Sequence, residues 1–146
     1  MRTCGVEIKG SEALICVLAK ENDVFDIRDV RQTRFVLPKS DNADDIRKFQ
    51  FDFAKLLADY QVDTIAIKER QQKGKFAGSA QGFKMEAALQ LISDVRVVLL
   101  NPTEMKEQLK KNPLPIDFED TGLKKFQETA FVSAYIELTH RTYNKV

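Results

Sequence analysis

Residues 3–19, TCGVEIKGSEALICVLA, decide the fold of this chain, because they contain two strand-like runs joined by a turn. Residues 3–9 form the first run and have an acid, Glu7, at their centre. The connection KGSE has the composition of a tight turn, and residues 13–19 are apolar on both faces. The segment therefore predicts a hairpin whose second strand lies inside a sheet.

The next part of the chain predicts a third strand and a first helix. Residues 24–37 mix apolar and charged side chains over a length that indicates a bent or interrupted strand, which ends at Pro38. Residues 40–45, SDNADD, are rich in capping residues, with acids near the positive end of the helix dipole. Apolar residues then recur at three- and four-residue intervals to about Tyr60, which predicts a helix with one buried face. They are Ile46, Phe49, Phe53, Leu56, Leu57 and Tyr60.

The remaining elements alternate between strand and helix. Strands are predicted at residues 62–67 and 95–100, and helices at about 78–93, from Pro102 to before Asn112, and at about 122–143. Strands joined through helices need parallel neighbours and right-handed crossovers, whereas the opening strands can form an antiparallel meander. The sequence thus predicts one α/β domain over residues 1–146, with a mixed five-stranded sheet flanked by helices.

Composition limits the function. The chain has 23 Lys plus Arg against 22 Asp plus Glu, so any surface that attracts nucleic acid must be local.

The hairpin register places Cys4 and Cys16 on opposite faces of the sheet, which argues against a disulfide. No apolar run approaches about 18 residues and no signal peptide is recognisable, so a cytoplasmic protein without a membrane partner is expected. The chain has a single histidine, His140, which argues against a zinc site.

Four short phrases resemble the RuvC resolvase branch of the ribonuclease H-like superfamily. CGVE, ending at Glu7, is similar to the first strand of that branch, and IAIKE, ending at Glu69, resembles the strand that ends in a Glu. NPTEMK, ending at Lys106, resembles its Pro-x-x-apolar-Lys helix start, and ETAFVSA, which begins at Glu128, resembles its last, acid-bearing helix. The whole chain also resembles a small bacterial family of unknown function.

The resemblance implies a divalent-metal nuclease acting on nucleic acid. Its chemistry would use two Mg²⁺ or Mn²⁺ ions about 4 Å apart, with Glu7, Glu69 and Glu128 as both catalytic residues and metal ligands. In a strict strand register, however, Lys68 rather than Glu69 takes the second acid's place, and alternation points these two side chains to opposite faces. The three glutamates can equally be ordinary exposed residues.

Two basic segments are candidates for nucleic-acid binding. The loop RQQKGKFAGS offers Arg70, Lys73 and Lys75 to phosphates and Phe76 to an unpaired base, and its alternative is a solvated loop. Lys106 and Lys110 lie on one helix, where Lys106 matches the family's backbone-contacting Lys, and their alternative is a charged outer face. Gly78 and Gly82, which share a helix face with Glu86, are predicted to let that helix approach the sheet closely.

Two hypotheses follow for the function. The first is the divalent-metal nuclease described above. The second is a non-catalytic ribonuclease H-like module with an incomplete acidic site, which binds nucleic acid or a protein partner. The resemblance to a dimeric resolvase is also compatible with a homodimer. The two hypotheses differ in geometry, because a shared two-ion centre needs all three carboxylates within about 4 to 6 Å of one point.

Overall fold

Six strands and four helices make up the fold in the computed structural model, which describes residues 1–38, 42–73 and 78–143. Residues 142 and 143 are described by their backbone only. The strands are β1 (Arg2–Lys9), β2 (Glu12–Glu21), β3 (Val24–Arg28), β4 (Arg34–Val36), β5 (Thr64–Lys68) and β6 (Arg96–Leu100). The helices are α1 (Ala43–Asp59), α2 (Ala80–Gln90), α3 (Pro102–Lys111) and α4 (Glu128–Tyr143).

One mixed sheet organises these elements, in the order β3-β2-β1-β5-β6, with β4 also paired to β2. The opening strands are antiparallel, whereas β1, β5 and β6 are mutually parallel. The predicted α/β fold with an antiparallel meander and parallel later strands is confirmed. Because β1, β5 and β6 run the same way, their carboxyl ends meet at one edge of the sheet, where open α/β sheets usually bind ligands.

The third predicted strand is interrupted, as its mixed pattern indicated. It forms β3 and β4, which pair with opposite ends of β2. Between them the backbone leaves the regular ladder, since the N–H of Arg31 donates to the hydroxyl of Tyr60 at 2.8 Å.

Each face of the sheet has its own hydrophobic core. Cys4, Val6 and Ile8 of β1 pack with α1 and α2, whereas Cys16 and Leu18 of β2 pack with α3 and α4. The two cysteines are therefore buried and unpaired on opposite faces, as the register predicted. Burial raises the pKa of the Cys16 thiol to about 12, so this thiol stays protonated at neutral pH.

Helix α1 has the capped start and apolar stripe that its sequence predicted. The side-chain oxygen of Asn42 accepts from the backbone N–H of Asp44 at 2.8 Å, while Ser40 and Asp41 lie outside the described residues. Phe49 and Phe53 are buried against Phe35 of β4, with 4.7 Å between the ring centroids of Phe35 and Phe53. Aromatic contacts of this kind anchor the helix to the sheet.

The last helix begins at Glu128, so its predicted start at about residue 122 was wrong. Gly122 has a φ of 78°, which a helix does not continue through, and two short 3₁₀ turns, Phe118–Thr121 and Lys125–Gln127, flank it. The Gln127 side chain donates to the carbonyl of Ile15 at 3.1 Å and accepts from the N–H of Lys124. These bonds tie the segment to β2 before the helix starts.

Helix α4 crosses the sheet directly over Gly5. A Cβ at this position would lie 1.8 Å from the carbonyl oxygen of Ala130 and 2.8 Å from the backbone nitrogen of Ala134. Both of these alanines are fully buried. The absence of a side chain at residue 5 therefore sets the distance between α4 and β1.

The far end of α4 is fixed by Arg141. Its Nη1 donates to Oδ1 of Asp63 at 2.7 Å and to the hydroxyl of Thr64 at 3.0 Å. Partial burial by itself would raise the pKa of Asp63, but bonds from the Arg2 backbone, Thr64 and Arg141 outweigh it and lower that pKa below its ordinary value. No helix in the described part of the chain is long and apolar enough to cross a membrane.

Gly5→Ala should lower the free energy of unfolding by about 1–3 kcal/mol or more, because the new methyl group forces α4 away from β1. Urea denaturation of both proteins measures the change. Lys9→Ala, at the exposed end of the same strand, is the control and should stay within about 0.5 kcal/mol of the parent. Unchanged stability of Gly5→Ala would contradict the close crossing.

Arg141→Gln should reduce stability at pH 7 by about 1 kcal/mol or less, given that Asp63 is partly exposed. A carboxyl whose pKa is lowered by folding stabilises above its unfolded pKa of about 3.9 and loses this effect as pH falls through the folded value. The difference between parent and variant should accordingly shrink below about pH 4. Denaturation midpoints from pH 2 to 7 test this, with the exposed Arg47→Gln as control.

Candidate nucleic-acid interface

A cavity of about 450 Å³ opens at the carboxyl ends of β1 and β5, where α3 begins and the loop leads to α2. The hydroxyl of Ser79, which caps α2, donates to the carbonyl of Gly10 at 3.2 Å and so joins that loop to the β1–β2 turn. The cavity is lined by Glu7, Ile8, Lys9, Gly10, Lys68, Glu69, Arg70, Gln71, Gly78 and Pro102.

Lys68 of β5 is the neighbour of Glu7 of β1 across the sheet, on the face covered by α4. Gly5 lies beneath α4, and Glu7, two residues further along β1, projects to the same face. The parallel register pairs Val6 with Ile67, so Lys68 takes the neighbouring place to Glu7. The strict register considered from the sequence is therefore the observed one, and an ammonium rather than a carboxylate stands beside the central acid.

Glu69 lies just beyond the end of β5 and is exposed. Its backbone N–H donates to the carbonyl of Leu100 at 2.8 Å, which fixes it against the end of β6. Glu69 is also among the residues that line the cavity with Glu7. Two of the three candidate glutamates, Glu7 and Glu69, therefore line one cavity together with Lys68.

Glu128 is the first residue of α4 and is not among the residues that line this cavity. Its carboxylate contacts the ammonium of Lys125, one turn earlier, and its side chain is 40% exposed. Across residues 1–38, 42–73 and 78–143, no three His, Cys, Asp or Glu side chains are grouped so that they could hold a metal ion. This donor set, two carboxylates beside Lys68 and Arg70, does not fit a two-ion centre.

Basic residues line the cavity or lie on the elements that adjoin it. Arg70 lines it together with Lys9 and Lys68, and Lys73 is exposed on the adjoining loop. Lys106 and Lys110 are exposed on α3, whose first residue, Pro102, is part of the cavity wall. Lys75 and Phe76 lie outside the described residues. The tertiary structure therefore brings the loop and α3 to one end of the sheet.

The sequence predicted that Gly78 and Gly82 let their helix approach the sheet closely, and this explanation of the two glycines was wrong. A Cβ at Gly82 would lie 1.6 Å from Nη1 of Arg70, and one at Gly78 would lie 2.5 Å from its Cζ. The two glycines thus make room for a guanidinium rather than for the sheet. The four-residue spacing of Gly78, Gly82 and Glu86 was visible in the sequence, but the identity of the group that fills it was not.

Glu86 is the functional candidate that sequence reasoning missed. Burial raises its pKa, the positive charge of Arg70 opposes this effect, and the negative charge of Glu69 adds to it. Burial likewise lowers the pKa of Arg70, and Glu86 opposes that change. The two groups therefore act on each other electrostatically behind the cavity wall.

A family model described as "Protein of unknown function (DUF3010)" matches residues 1–137. The chain belongs to the DUF3010 family. No curated protein matches it significantly. The family therefore carries no activity over to this chain.

Solved structures of Holliday junction resolvases share its fold. RuvC of Thermus thermophilus has a TM-score of 0.76 at 12% identity, with 99% of this chain and 97% of that chain covered. T. thermophilus RuvC in complex with a Holliday junction substrate has a TM-score of 0.69 at 13% identity, covering 98% and 96%. The fowlpox virus Holliday junction resolvase has a TM-score of 0.52 at 11% identity, covering 99% of both. The chain has a RuvC-like ribonuclease H fold.

Lys68→Glu should raise the affinity of the protein for Mn²⁺ by about tenfold or more, because it replaces a cation beside Glu7 with a further carboxylate ligand. Calorimetric titration of Mn²⁺ into the parent and the variant measures this. Lys68→Gln, which removes the charge without adding a ligand, is the matched control. Equal affinities of the two variants would show that Glu7 and residue 68 do not share a site.

Proposed function

We propose that this protein binds branched DNA at the carboxyl end of its sheet without cleaving it through a two-metal centre. The position of Lys68 beside Glu7 carries the proposal, because an ammonium in this place repels a divalent cation and attracts a phosphate. Of the two hypotheses drawn from the sequence, this favours the non-catalytic module.

The charge distribution supports local rather than general attraction to DNA. The formal net charge is only +1, so the protein as a whole has little long-range attraction for a polyanion. At the cavity, by contrast, Lys9, Lys68 and Arg70 stand beside Glu7 and Glu69, with further lysines on α3. Binding through a few such cations depends on a backbone geometry that presents several phosphates to this end of the sheet at once.

The fold supports the choice of DNA structure. One RuvC of this fold is described in complex with a Holliday junction substrate, which makes a four-way junction the first ligand to test. A homodimer, with which the resemblance is compatible, belongs to the same proposal. Light scattering of the free protein measures its molecular mass and checks this part independently of DNA.

A divalent-metal nuclease is the second candidate, because Glu7 and Glu69 line the same cavity. Mg²⁺ is often held by one or two carboxylates together with substrate phosphates. Incubation of the parent and Glu7→Gln with a labelled four-way junction and with branched RNA, in Mg²⁺ or Mn²⁺, distinguishes the two. Cleavage by the parent that Glu7→Gln abolishes would establish the nuclease and overturn the non-catalytic proposal.

Lys68→Gln and Lys106→Gln should each weaken four-way-junction binding by about three- to tenfold, because each removes one phosphate contact. The slope of log affinity against log salt should fall by about 0.9 per contact. Fluorescence anisotropy with chelator present, over a range of salt, measures both quantities. Lys48→Gln, on the exposed side of α1, is the matched control and should change neither.

The comparison with linear duplex of the same length completes the test. Tighter binding of the junction than of the duplex is expected, since a branched backbone brings phosphates of more than one duplex arm to the same compact surface. Absence of binding by the parent at low salt would overturn the proposed function. Losses of equal size in Lys48→Gln would show that binding is not confined to the carboxyl end of the sheet.

A further inference from the structure

Arg70 has an unusual environment for a residue on a surface cavity. Its guanidinium fills a notch in α2 and the residues before it, formed by Gly78 and Gly82 and here termed the glycine notch. The ring of Phe83 lies on one side, with Cζ of Arg70 4.9 Å from the ring centroid. Contacts of this kind hold the planar group in one orientation.

Polar atoms around the glycine notch are buried without hydrogen-bond partners in the described residues. They are Nη1 of Arg70 and Oε1 of Glu86. Buried groups of this kind are usually satisfied, and exceptions call for an explanation in terms of function or bound solvent. Arg70 and Glu86 thus attract each other through space, without a hydrogen bond at Nη1 or Oε1 in the described residues.

We propose that Arg70 is a pre-positioned phosphodiester contact, with the glycine notch and Glu86 as the features that position it. The inference rests on the proposed function and assigns one residue of the cavity a specific role. Nη1 is buried against Gly82, and Arg70 is also among the residues that line the cavity with Lys68. A phosphate entering the cavity would therefore meet a guanidinium that is already oriented.

The physical advantage lies in the ordering of the side chain. A free arginine loses rotamer freedom when it binds a phosphate, and this loss weakens binding. Here Gly82 and Phe83 impose that ordering before any ligand arrives. Arginine also offers a planar fork of donors that suits a phosphate group, so a lysine would not replace it.

Glu86 acts as a positioning residue for Arg70. It lies one helical turn after Gly82 on the same face of α2, and its negative charge favours the ionised guanidinium in spite of burial. The neighbouring Glu69 raises the pKa of Glu86, which links the cavity to the notch electrostatically. Glu86→Gln should therefore weaken junction binding less than the loss of Arg70 itself.

Gly82→Ala provides the sharpest test, because its methyl group would lie 1.6 Å from Nη1 and must displace the guanidinium. Alanine is the better helix former, so the fold should not suffer. Junction affinity of Gly82→Ala and of Arg70→Gln should fall by about tenfold each, and the salt slope of Arg70→Gln by about 0.9. The double variant should bind no more weakly than Arg70→Gln, since both changes remove one contact.

Controls separate this inference from the proposed function. Gln90→Ala makes a similar exchange at an exposed site of α2 and should leave affinity unchanged. If the parent does not bind the junction, the proposed function fails. If the parent binds but Gly82→Ala binds equally well, or its loss adds to that of Arg70→Gln, only the role of the notch fails. Should Gly82→Ala unfold, Gly78→Ala, which lies outside the helix, decides by the same criteria.

Discussion

The close crossing of α4 over β1 at Gly5 is the constraint on which the rest of the structure depends. Backbone atoms of Ala130 and Ala134 occupy the space that any side chain at residue 5 would need. This contact places α4 on one face of the sheet, leaves the other face to α1 and α2, and so divides the core in two. Strand alternation then places Glu7 on the same face of the sheet as α4, at the edge where β1 and β5 end.

The charges at this edge distinguish the protein from what its fold first suggests. A fold shared with Holliday junction resolvases leads one to look for a cluster of acids, and Glu7 and Glu69 do line one cavity. Lys68 follows Glu7 across the sheet, and Glu128 contacts Lys125 instead of reaching the cavity. The same scaffold can thus carry different charges at one edge, because a sheet edge fixes where side chains stand and not which charge they bear.

Arg70 shows how a local sequence feature obtains its meaning from distant parts of the chain. A glycine inside a helix, such as Gly82, normally weakens it, and here Gly82 and Gly78 make room for the guanidinium of Arg70, which lies just after β5. Phe83 and Glu86 complete its surroundings from the same helix. A cation held in this way differs from Lys106 and Lys110, which are exposed on α3 and would lose rotamer freedom on binding a ligand.

The sequence by itself determined the order of strands and helices, the hairpin register that separates Cys4 from Cys16, and the start of α3 at Pro102, because these follow from local periodicity, turn chemistry and proline geometry. It placed the start of α4 too early, since the 3₁₀ turns before it are held by bonds from Gln127 to β2. Only the tertiary structure decided that Lys68 lies next to Glu7 on the neighbouring strand and that Arg70 fills the glycine notch. Both depend on which strands become neighbours and which side chains then meet, and periodicity along one chain carries no such information.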